Sequence, residues 1–291
     1  MADRQDLQRS INTRIAPAIP GRAWDSTVAV VVADRPHVRQ IGTAVLFQIA
    51  DVFFVVTAAH VVQLACDADK TIAISGGVDD HFVALAGQWI RSTGSVRHAT
   101  DVYDVAVHRL SEGAVRRLSN ARFLRLSEVD FGDRGPRAVY TLFGFPGVWS
   151  IPSAADTEPV SAKPLEFTTY AYDGGIGGMQ QYEARLHILL SATAEELTSP
   201  DGATLQFKDR IGQSVRLPIG LKGISGCSVW HIGHLDVPIE QWAERGATLV
   251  GMVSGVYQAH GAVKVTRWDA VTTLIDAAFP DLQPVLRLDL R

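Results

Sequence analysis

The chain has 291 residues, of which 47% are hydrophobic and 20% are charged. These are ordinary values for a globular protein with one large or two modest domains. The formal net charge of −4 argues against a nucleic acid or an anionic membrane surface as the binding partner.

The first 22 residues are expected to form a tail, without the apolar core of a secretory signal. No stretch approaches the roughly 18 apolar residues that a membrane-spanning helix needs. The two cysteines, Cys66 and Cys227, are too few for a disulfide framework and suit a reducing compartment. We therefore predict a cytoplasmic protein with no membrane contact.

Most of the chain is predicted to form short strands, because runs rich in Val, Ile, Phe, Tyr and Thr alternate with Gly, Asp, Pro and Ser. The predicted strands cover residues 26–33, 40–50, 52–59, 71–75, 81–90, 105–110, 137–145, 165–172, 183–193, 227–233, 248–258 and 262–266. So many short strands indicate a β-barrel or a β-sandwich.

Two segments have a helical pattern. Residues 111–120 predict a short helix, and residues 267–279 predict a longer one that Pro280 ends. The polar stretch 127–137 indicates a connection between two halves of the chain. The four glycines of residues 172–182 indicate a hairpin tip. A phosphate-binding loop is disfavoured here, because no GK[ST] sequence follows.

Three segments carry candidate catalytic side chains. His60 lies in "TAAHVV", Asp104 begins "DVAVHRL", and Ser225 lies between two glycines in "GISG". A serine hydroxyl becomes a nucleophile when an imidazole takes its proton, and a carboxylate holds that imidazole in the required tautomer. The chain order His, Asp, Ser excludes both the α/β-hydrolases and the subtilisins, which use different orders.

These segments resemble the trypsin/chymotrypsin-fold serine proteases, most closely their compact bacterial trypsin-like peptidases of the S1 type. The stretch "GTAVLFQIADVFFVVTAAHVV" is similar to the family's histidine box with its preceding hairpin. "DVAV" and "GISG" are similar to the aspartate and nucleophile boxes, and "LVGMVSGV" to the strand beside the specificity pocket. The resemblance spans roughly residues 26–279.

The resemblance implies an all-β fold of two packed six-stranded antiparallel β-barrels, chymotrypsin-like, with a C-terminal α-helix. It places the first barrel at residues 23–125, the inter-barrel linker at 126–136 and the second barrel at 137–266. Residues 267–291 would form the C-terminal helix and tail.

The resemblance also implies the role of each site residue in a serine endopeptidase that needs no cofactor. Ser225 would attack the scissile carbonyl, His60 would act as base and then acid, and Asp104 would orient His60. The backbone N–H groups of Gly223 and Ser225 would form the oxyanion hole. Ser254 would donate a hydrogen bond to the aspartate.

Four positions qualify this interpretation. Ile224 stands where the digestive members carry an aspartate that captures a new N-terminus, so that activation switch is not expected. Ile219 at the floor of the specificity pocket and Val256 at its entrance predict a small or medium apolar residue before the cut. Asp101 competes with Asp104 for the acid role, but the apolar alternation after Asp104 favours Asp104.

The expected partners are a protein or peptide substrate and a separate regulatory protein, because an uncontrolled cytoplasmic protease would harm its own cell. The histidines of "HIGH" (231–234) lack nearby Cys or Glu at zinc-site spacing, so no metal is expected. The alternative is a catalytically silent protease-fold protein that acts as a binding or scaffold module. Such a protein would lack a triad residue or the nucleophile glycines, and this sequence keeps them all.

Overall fold

The computed structural model describes residues 20–34, 37–76, 82–92, 102–118, 121–146, 165–192, 207–208, 214–215, 223–234 and 246–289. Two antiparallel sheets dominate this part of the chain. The first uses strands from residues 27–125 and the second uses strands from residues 138–267.

The first sheet consists of eight described strands. They are β1 (Thr27–Asp34), β2 (His37–Ile49), β3 (Val52–Thr57), β4 (Ile72–Ile74), β5 (Val83–Ala84), β6 (Ile90–Arg91), β7 (Ala106–Arg109) and β8 (Leu124–Arg125). Their order is β5-β4-β1-β2-β3-β7-β6, and β8 pairs with β2 in parallel. Apolar side chains such as Leu46, Val55 and Ile74 fill a core of this sheet.

The second sheet contains six strands. They are β9 (Ala138–Gly144), β10 (Leu165–Tyr170), β11 (His187–Ser191), β14 (Ser228–His234), β15 (Thr248–Tyr257) and β16 (Ala262–Arg267). Their order is β10-β9-β14-β15-β16-β11. A β-bridge between Ala171 and Leu190 joins the two edge strands, so the sheet closes into a barrel. Strands β12 (Phe207–Lys208) and β13 (Ser214–Val215) pair separately.

The predicted all-β class with two antiparallel sheets is confirmed, and the first sheet has eight described strands where six were expected. Residues 81–90, predicted as one strand, contribute two separate short strands. Gly87, with a φ of +116°, interrupts the extended backbone between them because this left-handed conformation breaks a strand. The parallel strand β8 is the other addition.

The described residues also form five α-helices. They are α1 (Pro20–Asp25), α2 (Ala59–Asp67), α3 (Glu112–Arg117), α4 (Trp268–Ala278) and α5 (Gln283–Asp289). The predictions of α3 and α4 are confirmed. Helix α2 was missed, because the predicted strand 52–59 ends at Thr57 and a helix with buried Val61, Val62 and Ala65 begins at Ala59. None of the described helices is long and apolar enough to cross a membrane.

Helices α1 and α4 each pack against the sheet that is farther from them along the chain. Helix α1 precedes the first sheet, yet the Trp24 ring contacts Phe143 of β9 with ring centroids 5.3 Å apart. Helix α4 follows the second sheet, yet the Trp268 ring contacts Phe47 of β2 at 5.1 Å. These four residues lie in or against an apolar core between the two sheets. Strand residues of both sheets complete this core.

Candidate active site

Helix α2 and the segment before β7 bring His60 and Asp104 together. His60 is the second residue of α2, which follows β3 directly, and Asp104 precedes β7, the antiparallel neighbour of β3. The His60 Nδ1 and Asp104 Oδ2 atoms lie 2.6 Å apart, and the His60 backbone N–H donates to Asp104 Oδ1 at 3.0 Å. Because a carboxylate only accepts, the imidazole proton resides on Nδ1.

The burial of this pair is unequal. The Asp104 side chain is 12% exposed, whereas the His60 side chain is 30% exposed. Asp104 has a φ of +49°, a left-handed conformation that Asp tolerates better than most residues. The structure thus holds a largely buried carboxylate against an imidazole that remains partly open to solvent.

Ser225 lies at the second position of a tight turn. The Cys227 N–H donates to the Ile224 carbonyl at 3.0 Å and closes the turn over Ser225 and Gly226. Gly226 has a φ of +86°, the left-handed value that a type II turn requires at its third position. The glycine after the candidate nucleophile is therefore needed for the shape of the turn.

The turn is held against β2, close to the helix that carries His60. The Thr43 N–H donates to the Ser225 carbonyl at 3.2 Å. A methyl group added to Gly42 would lie 2.7 Å from Val61 Cγ1 and 3.2 Å from the same Ser225 carbonyl oxygen. Ser225 and the residue after His60 thus pack against one point of β2, which places the turn at the same end of the first sheet as the His60–Asp104 pair.

The backbone N–H groups proposed for the oxyanion hole have no acceptor among the described residues. Within the described part of the chain, neither the Gly223 N–H nor the Ser225 N–H donates to another group. Gly223 has a φ of +84°, so its peptide is rotated relative to an extended strand. Two unused donors beside a candidate nucleophile can stabilise a developing oxyanion.

Thr43 organises this region, although it is not among the predicted site residues. Its hydroxyl accepts the Phe145 N–H at 2.7 Å, and its carbonyl accepts the Thr57 hydroxyl at 2.6 Å. The Cys227 Sγ lies 3.7 Å from the same hydroxyl, and burial raises the pKa of the Cys227 thiol to about 12. Cys227 is therefore a protonated packing residue, and a threonine inside an apolar strand gave no signal of its role.

One predicted contact is wrong. The Ser254 hydroxyl is buried and makes no hydrogen bond with any described residue, so the predicted bond to Asp104 is not formed. In addition, the register between β15 and β16 shifts at Ser254, which changes the pairing of the strand at this position.

The other predicted positions have varied placements. Ile224 is 1% exposed and packs in the core of the second barrel, and Val256 packs at the edge of the same core. Ile219 and Asp101 lie outside the described residues.

Burial lowers the pKa of His231 to about 4, and the described residues contain no cluster of three or more His, Cys, Asp or Glu side chains that could hold a metal ion.

Comparison with known proteins gives distant structural similarity only. No family model and no curated protein sequence matches the chain. The serine protease domain of the Sesbania mosaic virus polyprotein is 14% identical with a TM-score of 0.44, and the alignment covers 86% of this chain and 91% of that chain. The thermostable serine protease AL20 from an extremophilic microorganism is 11% identical with a TM-score of 0.48, over 87% and 96% of the two chains. A structure from work on the disordered Sesbania mosaic virus VPg protein is 15% identical with a TM-score of 0.43, over 85% and 87%.

Proposed function

We propose that this protein is a serine endopeptidase that uses Ser225, His60 and Asp104. The proposal rests chiefly on the 2.6 Å hydrogen bond between His60 Nδ1 and Asp104 Oδ2. A buried carboxylate that accepts both the ring N–H and the backbone N–H of one histidine fixes the tautomer and the orientation of the imidazole. The other ring nitrogen, Nε2, then carries no proton and is the base.

The reaction follows from these roles. Ser225 Oγ attacks the scissile carbonyl carbon while His60 Nε2 takes the hydroxyl proton, and the oxyanion accepts hydrogen bonds from Gly223 and Ser225. The imidazolium then protonates the leaving amine, the C–N bond breaks and an acyl-enzyme forms. Water, deprotonated by His60, hydrolyses the ester and restores Ser225.

Further features of the function belong to the same proposal. The substrate is a protein or peptide with a small or medium apolar residue before the cut, since Ile219 and Val256 bring no charge to the expected pocket. Ile224 offers no carboxylate to capture a new N-terminus, which supports control of a cytoplasmic enzyme by a separate regulatory protein.

The test is fluorophosphonate labelling of the purified full chain, because this probe reacts only with an activated serine. We expect labelling of the parent protein and none of Ser225→Ala, with peptide hydrolysis in that variant reduced about 10⁴–10⁶-fold. Ser228→Ala is not a suitable control, since Ser228 accepts the buried Trp230 Nε1–H bond. Ser127→Ala alters an exposed serine outside the nucleophile turn and should still be labelled.

Two results would contradict the proposal. Equal hydrolysis by the parent and Ser225→Ala would eliminate Ser225 as the nucleophile. A parent protein that neither labels nor hydrolyses a diverse peptide library, alone or with cell extract as a source of regulator, would favour the silent binding module.

A further inference from the structure

The segment that carries Asp104 is held at consecutive carbonyl groups. The Asp104 carbonyl accepts the Ala59 N–H at 3.1 Å, and the Val105 carbonyl accepts the Ser92 N–H at 2.8 Å. Both donors belong to the first half of the chain. The two preceding carbonyls, of Val102 and Tyr103, take their hydrogen bonds from the second barrel.

His187 and Thr266 supply those two hydrogen bonds. The His187 Nε2 lies 2.8 Å from the Val102 carbonyl, and the Thr266 hydroxyl donates to the Tyr103 carbonyl at 2.9 Å. His187 on β11 and Thr266 on β16 are direct partners in the antiparallel register. Because directly opposed residues share one face of a sheet, the two side chains form a paired donor.

The protonation of His187 is fixed by its neighbours. The Val102 carbonyl can only accept, so the proton of the neutral ring is on Nε2; Nδ1 then accepts the Glu183 N–H at 3.0 Å and lies 3.1 Å from the Glu183 carbonyl. His187 is 1% exposed, and burial, assisted by the positive charge of Lys264, lowers the pKa of His187 to about 4. The ring is therefore neutral near pH 7 and keeps this donor.

We propose that the His187–Thr266 pair of the second barrel is a positioning element for Asp104, which fixes the backbone that aims the carboxylate at His60. This inference rests on the proposed function for its catalytic meaning. The left-handed backbone of Asp104, with a φ of +49°, costs energy and persists only where its surroundings hold it in place. Two hydrogen bonds immediately before the strained residue provide that restraint, and they make the geometry of the acid depend on the packing of the two sheets.

The test measures the His60 tautomer by long-range ¹H–¹⁵N NMR, which uses carbon-bound ring protons and does not depend on activity. Thr266→Val removes the hydroxyl donor with little change in shape, and Thr266→Ser keeps it. Thr169→Val is the matched control, since Thr169 is a buried threonine of the same barrel that donates to the Ser191 carbonyl. Asp104→Asn provides the spectrum of an imidazole without its carboxylate.

We expect an Nδ1–H imidazole in the parent, Thr266→Ser and Thr169→Val proteins, and a shift toward the Asp104→Asn spectrum in Thr266→Val. His187→Leu should give the same shift, whereas His187→Gln keeps an N–H donor and should move less. On a cleaved peptide, Thr266→Val should lower kcat by about 10–100-fold with little change in KM, as expected for a small misplacement of a catalytic group.

The outcomes separate this inference from the proposed function. An unchanged His60 tautomer in both Thr266→Val and His187→Leu would overturn the positioning role, even in an active protease. A tautomer that follows Thr266 and His187 in a chain without Ser225-dependent hydrolysis would support the positioning role and refute the protease. If Thr266→Val does not fold, the comparison of His187→Leu with His187→Gln decides the question.

Discussion

At the scale of single residues, Gly226 shows how tightly the nucleophile turn is fitted to the first sheet. A methyl group at this position would lie 1.8 Å from the Thr43 carbonyl oxygen, and the φ of +86° is itself unfavourable for any other residue. We predict that Gly226→Ala destabilises the fold by at least about 2 kcal/mol and abolishes fluorophosphonate labelling.

Gly175 provides the control for this prediction. A methyl group there would meet nothing within 4 Å, so Gly175→Ala should keep both stability and labelling. Urea denaturation and labelling of the two variants side by side make the comparison. Labelling of Gly226→Ala at the parental level would mean that the turn tolerates a different geometry.

His187 gives a second prediction at this scale, which concerns pH. The folded pKa of His187 is about 4, below the value of about 6.5 in an unfolded chain. The unfolded state therefore binds the proton first, and stability falls as the pH drops from about 6.5 toward 4. Between pH 7 and pH 5, this histidine should account for a loss of about 2 kcal/mol.

Urea denaturation of the parent and His187→Gln at both pH values isolates this contribution. Carboxylates and His231 titrate in both proteins and cancel in the comparison. We expect stability to fall less in His187→Gln, and equal losses would show that His187 is not kept neutral by the fold.

At the scale of elements, the sequence predicted the strands better than the connections at their ends. Runs rich in β-branched and aromatic residues and bounded by turn residues identified β2, β9 and β15, and most residues of β9 and β15 are buried. The same pattern concealed the end of β3, since Ala58, Ala59 and His60 continue the apolar run although the backbone turns into α2. Only the packing of Val61 and Val62 reveals the helix.

Within the candidate site, too, the contacts that a sequence motif carries were predicted, and the contacts without a motif were missed. The motifs around His60 and Asp104 predicted a contact between residues that lie 44 positions apart, and the structure places both side chains within hydrogen-bond distance. The contact of His187 with Val102 spans 85 positions and had no signal, because a histidine in an apolar strand matches no motif. The predicted Ser254 hydrogen bond is not formed, and the register of β15 against β16 shifts at this residue, a feature that no motif encodes.

At the scale of the whole molecule, helices α1 and α4 link the stability of the two sheets. Ile275 of α4 is fully buried in the core between the sheets. We predict that Ile275→Ala lowers the free energy of unfolding by about 2–5 kcal/mol and that amides of β1–β3 and β14–β16 lose hydrogen-exchange protection together. A single transition is the expected result, because residues of both sheets share the core that contains Ile275.

Thr273→Ala changes an exposed residue of the same helix and should alter stability by less than about 0.5 kcal/mol. Loss of protection in Ile275→Ala that is confined to one sheet would instead identify two independent folding units.

The placement of α4 also has a consequence for biosynthesis. When the ribosome has released the chain as far as β16, all three candidate catalytic side chains have left the exit tunnel, but the helix that covers Phe47 has not yet docked. The contact of Trp268 with Phe47 therefore forms only after residues 268–278 emerge. For the proposed serine endopeptidase, this order predicts that the core between the sheets is completed only after all three candidate catalytic residues have emerged.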